Sequence, residues 1–159
     1  MILIPELLWS ALFETWGRVL VPIEQVAFLD GIEGNRISVV TTLTFPDADC
    51  RRQNYAISSQ AMSQAGQHLF KLALVRLAQV HTHPGRMIDH SPWDDAHAYS
   101  QRPGAVSIVV PEYGRRPSAL EQTGIHVRTP SAWSRVPPVQ VPHVIGLLPS
   151  ILDFRSMHE

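Results

Sequence analysis

Cysteine is almost missing from this chain of 159 residues; Cys50 stands alone. An intrachain disulfide is therefore excluded, and a reducing compartment is the expectation. Cys50 lies in a polar stretch, Pro46 to Asn54, and nothing around it marks it as a nucleophile. No Pro-Cys-x-x-Cys segment occurs, which argues against a zinc nucleobase deaminase. An excess of either charge is also missing. Thirteen Lys and Arg stand against fourteen Asp and Glu, a net charge of −1, with an isoelectric point near 6.7. That balance argues against a general nucleic-acid or anionic-membrane surface. The arginine pairs at 51–52 and 115–116 read as solvated loop charges. Long apolar runs are absent as well: no stretch approaches the roughly eighteen residues that span a bilayer. The N-terminus is apolar, but it has no basic region, and Glu6 and Glu14 interrupt it, so a signal peptide is not expected. The expected location is the cytoplasm. There are no internal repeats.

What is present suffices for one folded domain. Apolar residues make up 45% of the chain, enough for a core at this length. Pro5 to Trp16 reads as an amphipathic helix, with Leu8, Leu12 and Trp16 at helical spacing. Val26 to Leu29 and Ile37 to Phe45 read as strands joined by a turn at Asp30 to Asn35. Pro46 to Asn54 reads as a loop. A helix is expected from Ser58 to about Ala73, with Ala61, Ala65, His68 and Leu72 near one face. His68 is read as a surface histidine. A strand follows to His83, then a helix from Pro92 to about Ser100, and strands at Val106–Val110 and Ile125–Arg128. Alternation of helices and strands predicts an α/β or α+β class, a mixed β-sheet flanked by helices. Residues 129–159 differ: five of the thirteen prolines fall here, followed by the apolar run Val144 to Phe154. This segment is expected to form an extension of the 1–128 domain that packs back on it, or onto a partner.

The chemistry concentrates at His81-Thr82-His83-Pro84 and Ser91-Pro92-Trp93-Asp94. In a strand, residues two apart face the same side, so His81 and His83 can converge on one ion while Thr82 points away. Pro84 and Gly85 end the strand and open a loop. Serine at a helix N-cap, proline at the first helical position and an acid soon after read as a helix start, which holds a carboxylate near the strand end. That carboxylate is Asp94 or its neighbour Asp95. Neighbouring helical residues point about 100° apart, so only one of them faces an ion. An alternating pair of histidines is ordinarily polar surface, and Ser-x-x-Asp ordinarily a capping box; the combination is far more specific than either half. Imidazole and carboxylate are good zinc ligands, and three of them leave a position open for water.

At these residues the chain resembles the JAMM family, also called JAB or MPN-plus metalloproteases. The family signature is a distant glutamate, then His-Ser/Thr-His-Pro, six residues, and Ser-x-x-Asp. The glutamate heads a short apolar strand, the pattern of Glu24-Gln25-Val26-Ala27-Phe28-Leu29-Asp30-Gly31. Ala27 departs from it, since many members carry glycine there. The resemblance covers roughly residues 5–128. It implies a single-domain JAB/MPN architecture, which is cytidine-deaminase-like. It also implies zinc on His81, His83 and Asp94, Glu24 as general base and acid, and Ser91 as oxyanion donor. Without the downstream motif, Pro22-Ile23-Glu24 would read as a surface turn; Glu14, Glu33 and Asp30 are the rivals for the base.

The resemblance further implies cleavage of the amide bond after the C-terminal tail of a ubiquitin-like protein, as in small prokaryotic members. The expected partners are that protein or its conjugate, and ubiquitin-like conjugation enzymes. Three other readings remain: a non-catalytic MPN-type scaffold, a hydrolase of a small-molecule amide, and a structural zinc site. The scaffold is disfavoured because all five signature positions are filled, and the structural site because only three protein ligands are apparent. Asp89 and His90, in the loop over the site, are read as exposed, with tuning of the metal as the alternative. Trp93 is read as a core residue, with the lining of a tail groove as the alternative.

Overall fold

A computed structural model describes residues 1–152. The main sheet has eight strands: β1 (Ile2–Pro5), β2 (Val26–Ile32), β3 (Ser38–Thr44), β6 (Val75–Thr82), β7 (Val106–Val110), β8 (Gly124–Arg128), β9 (Trp133–Arg135) and β10 (Ile145–Leu148). Their order across the sheet is β10-β1-β3-β2-β6-β7-β8-β9. The sheet is mixed: β6 and β7 run parallel, while β2 is antiparallel to both β3 and β6. A separate two-stranded hairpin is formed by β4 (Ala48–Cys50) and β5 (Tyr55–Ile57). The helices are α1 (Glu6–Gly17), α2 (Ser59–Lys71), α3 (Pro92–His97) and the one-turn α4 (Val141–Val144). No helix is long and apolar enough to cross a membrane among the described residues.

The two faces of the sheet do different work. Alternation along the strands sends Ala27, Leu29, Ala78, Val80, Ile108 and Val110 to one side, where they cluster with Trp9, Leu12, Phe13 and Trp16 of α1. Aromatic edges meet within that layer, Trp9 on Phe13 at 5.2 Å and Phe13 on Trp16 at 6.2 Å. The opposite side carries Phe28, Gln79, His81, Ser107 and His126, all buried. Three of these are in register across the central strands, Gln79 beside Ser107 and Ser107 beside His126. A buried row of polar side chains needs partners. Gln79 has them, donating to the Tyr55 hydroxyl and accepting from the Tyr99 backbone.

Several expectations change. Pro46 to Asn54, read as a loop, holds β4 and the turn of the hairpin. Pro5 ends β1 instead of starting α1. Helix α2 buries Ala61 and Leu69, and Leu72, expected on its inner face, is the helix cap and 51% exposed. Residues 129–152 supply both sheet edges: β9 pairs with β8, and β10 lies parallel to β1 from Ile2–Ile145 to Pro5–Leu148. The end of the predicted apolar run, Asp153 and Phe154, lies outside the described residues, as does the rest of 153–159.

Candidate metal centre

Strand β6 carries His81, and His83 follows directly after its last residue, its N–H donating to Val110 O at 2.8 Å. His81 pairs with Val26 across β2, and beyond that pair Thr82 and Gln25 close a short bridge. In it Thr82 N donates to Gln25 O at 3.0 Å, and Gln25 N donates to the Thr82 hydroxyl at 2.9 Å. Glu24 lies two residues before β2, close enough to His83 to feel its charge. Its backbone N–H donates to Arg51 O at 2.6 Å, which ties the hairpin to the site. The His81 and His83 rings lie 5.1 Å apart by their centroids.

Helix α3 brings the carboxylate. Ser91 is its N-cap, Pro92 opens it, and Asp94 closes a reciprocal capping box. Asp94 Oδ2 accepts from Ser91 N and from the Ser91 hydroxyl, both at 2.7 Å, and Ser91 Oγ accepts from Asp94 N at 3.2 Å. The cap therefore fixes the carboxylate's orientation. Asp94 Oδ2 lies 3.2 Å from His83 Nε2, and Oδ1 lies 3.3 Å from His81 Nε2. One ligating atom from each of His81, His83 and Asp94 falls within 4.8 Å of the others.

This cluster fits a metal ion on its own terms. His81 is fully buried, yet neither ring nitrogen has a hydrogen-bond partner. Its Nε2 faces a carboxylate at short range but out of line for a hydrogen bond. A buried polar atom left so is costly, and a cation between the three groups would satisfy it. His83 Nδ1 lies 3.1 Å from Met87 O and donates to it. That leaves Nε2 directed at the cluster, the outer hydrogen bond that metal-bound histidines ordinarily have. The donor set, two imidazoles and a carboxylate, is that of zinc hydrolases.

The electrostatics agree. Burial works to raise the Asp94 carboxyl, but the two imidazoles outweigh it and hold the group below the usual carboxylate range. Burial pushes the His81 imidazole down, against the pull of Asp94. At His83 burial also works downward, but Asp94 outweighs it and the net shift is upward. Glu24 behaves differently from Asp94: burial pushes its carboxyl up from 4.5 to about 7, partly countered by His83.

The rivals are elsewhere. Asp30 is fully buried but paired with Arg76 at 3.1 Å, and that guanidinium lies over the Phe28 ring. Glu14 is exposed on α1 and Glu33 exposed in the turn after β2. Asp95 turns away from the cluster and bonds His90. Asp89 is exposed and paired with Arg135, but His90, read as exposed, has a side chain only 4% exposed. Trp93, read as core, is 41% exposed. It stacks on His97 at 3.7 Å and donates to Tyr55 O of the hairpin. Met87, whose backbone oxygen accepts from His83, is also exposed, at 73%.

Ser91 has two uses that compete. Its hydroxyl donates to Asp94 here, so to bind an oxyanion it must turn away from that carboxylate. Ser91→Ala is expected to lower turnover by about 10²–10³ if the hydroxyl acts on the oxyanion, and to cost about 1 kcal/mol as a lost N-cap. Steady-state kinetics beside urea denaturation separate the two: a stability loss with unchanged turnover leaves Ser91 as a cap only.

No family model matches the chain. A probable metalloprotease of Sinorhizobium fredii is 36% identical over 80 residues, 50% of this chain and 49% of the relative, so the chain spans about half of that relative's length. A solution structure of a Desulfitobacterium hafniense protein superposes with a TM-score of 0.70 at 14% identity, covering 99% of this chain and 100% of the other. A crystal structure of a JAB1/MPN domain protein from Archaeoglobus fulgidus gives 0.54 at 17% identity, covering 92% and 97%. The sheet with α1 against it is thus the fold of the JAB1/MPN domain protein, and half of the chain is similar in sequence to a probable metalloprotease.

Proposed function

We propose that the chain is a zinc-dependent peptidase that cleaves the amide bond after the C-terminal tail of a ubiquitin-like protein, in a precursor or a conjugate. The observation that carries this reading is the pairing of two unlike sites: a three-ligand cluster with an orphaned buried imidazole, and beside it a carboxyl raised to about 7. Zinc would be held by His81, His83 and Asp94 and would supply Lewis acidity toward a carbonyl and the attacking water.

The chain's own residues do the rest. Glu24 takes a proton from the attacking water at its carboxylate and returns it to the departing amine. A group titrating near the working pH is suited to both transfers. Ser91 turns its hydroxyl to the oxygen that gains charge. The Asp94 capping box holds the helix turn still while that happens. The hairpin is bonded both to Glu24 and to the exposed Trp93, which suits an extended tail that pairs its backbone with a strand and lays side chains on apolar surface. The name of the Sinorhizobium fredii relative supports a metalloprotease activity.

The test is metal content and cleavage in one preparation. Purified protein is analysed for zinc and incubated with a fusion carrying a ubiquitin-like C-terminal tail. About one zinc per chain with cleavage after the tail is the expected result. Zinc without cleavage of the tail would keep the metal centre and discard the substrate. No zinc in folded protein would defeat the reading altogether.

A further inference from the structure

Behind the metal cluster lies a second group of side chains that the proposed mechanism does not use. His90 Nδ1 is 2.9 Å from Asp95 Oδ1, and its Nε2 is 3.0 Å from the Ser107 hydroxyl. Its ring is stacked on His126 at 4.0 Å and 18°, and lies 5.6 Å from the His81 ring. The His90 backbone N–H donates to His126 Nε2 at 3.3 Å. The carboxylate of Asp95 can only accept, so Nδ1 carries the ring proton and Nε2 accepts from Ser107. Ser107, His90 and Asp95 thus repeat the order of a serine nucleophile, its base and an orienting acid. Ser107, however, is fully buried on β7, a central strand. No substrate reaches it, so the array does not act as a nucleophile.

Its place in the fold suggests another role. His90 immediately precedes Ser91, and Asp95 immediately follows Asp94. Ser107 stands in register between Gln79 on the strand that carries His81 and His126 on β8. The imidazole therefore bridges the first turn of α3 to the sheet. That turn holds Asp94 and Ser91; the sheet holds His81. Loop 85–90 is pressed onto β8, the strand of His126: a Cβ on Gly124 would come within 1.8 Å of Ile88 O. Helix α3 has only six residues and cannot hold this geometry by itself.

We propose that His90 is a positioning residue for the metal centre, its bond to Asp95 fixing the distance from Asp94 to His81. This rests on the metal-binding reading above. Groups that orient ligands without touching the ion are worth about 10–100-fold in metal affinity.

The experiment compares zinc affinity, by competition with a chromogenic chelator, in wild type, His90→Phe and His90→Asn, each shown to be folded by circular dichroism. Phenylalanine keeps the ring and its stacking but makes neither hydrogen bond. Asparagine sacrifices the stack but places an amide N–H where Nδ1 stood, within reach of Asp95. A positioning role predicts a loss of about 10–100-fold in His90→Phe, largely restored in His90→Asn. A packing role predicts the reverse order, and wild-type affinity in His90→Phe would overturn the proposal while leaving the metal reading intact. Wild-type protein that takes up no zinc would overturn both. Should His90→Phe fail to fold, Ser107→Ala decides: a several-fold loss of affinity supports the bridge, and unchanged affinity ends it.

Discussion

Glu24→Gln is expected to retain zinc and lose turnover by about 10²–10⁴, the usual worth of a positioned general base. The amide keeps the size and the backbone bond to Arg51 O, so the hairpin stays attached, but it accepts no proton. The same substitution should stabilise the metal-free protein at alkaline pH. The folded carboxyl titrates at about 7 against an ordinary value of 4.5. Between those values the folded state holds a proton that the unfolded chain releases, so stability falls as pH rises across that window. Above pH 7 the full cost is present. At 1.36 kcal/mol per unit, removing it is worth up to about 3 kcal/mol at pH 8 and little below pH 4.5. Urea titrations of chelator-treated wild type and variant at pH 4.5 and pH 8 read this difference directly. Gain of stability with loss of turnover is the mark of a residue strained for its chemistry. Full activity in Glu24→Gln would mean that another group is the base, and among the described residues no second carboxyl raised in this way stands beside the cluster.

The parts of this molecule written in short-range patterns were legible from sequence. His81 lies near the end of a strand and His83 just past it, before Pro84; Ser91, Pro92 and Asp94 spell a helix start. These rules act within a few residues, and the geometry follows them. What was missed depends on partners distant in sequence. Strands β1 and β10 are four residues each and exist because they pair with each other, Ile2 against Ile145. The hairpin β4–β5 carries Asp49 and Asn54 and lacks alternation, so its polar composition hid it. His90 sits in a loop of mixed polarity, and only Ser107 and His126, from two other strands, make it a buried residue. Trp93 was misread for the opposite reason: aromatic size suggests a core, but its indole N–H bonds Tyr55 O at the surface. Of the rival bases, Asp30 is the instructive one, since burial alone would have favoured it. Its pairing with Arg76 fixes it as a structural ion pair.

The largest loss of metal is expected from Asp94→Asn. The cap survives in this variant, because the amide oxygen still accepts from Ser91 N and the backbone N–H still donates to Ser91 Oγ. Helix α3 should therefore form as before, and circular dichroism should show it. What disappears is the one anionic ligand among three, held ionised by the imidazoles beside it. Losing a direct ligand should cost more than the 10–100-fold of an orienting partner, so zinc affinity should fall by more than about 100-fold. His83 loses the neighbour that does most to hold its pKa up, while its Nδ1 stays bonded to Met87 O. Zinc content measured after gel filtration, with the chelator-competition constant beside it, gives the answer. Retention of one zinc would point to Asp95 as the ligand. Asp95 would then have to leave His90, and in that case the double variant Asp94→Asn with His90→Phe should bind zinc more tightly than Asp94→Asn alone. The geometry predicts the opposite, since losing His90 also frees α3 from the sheet.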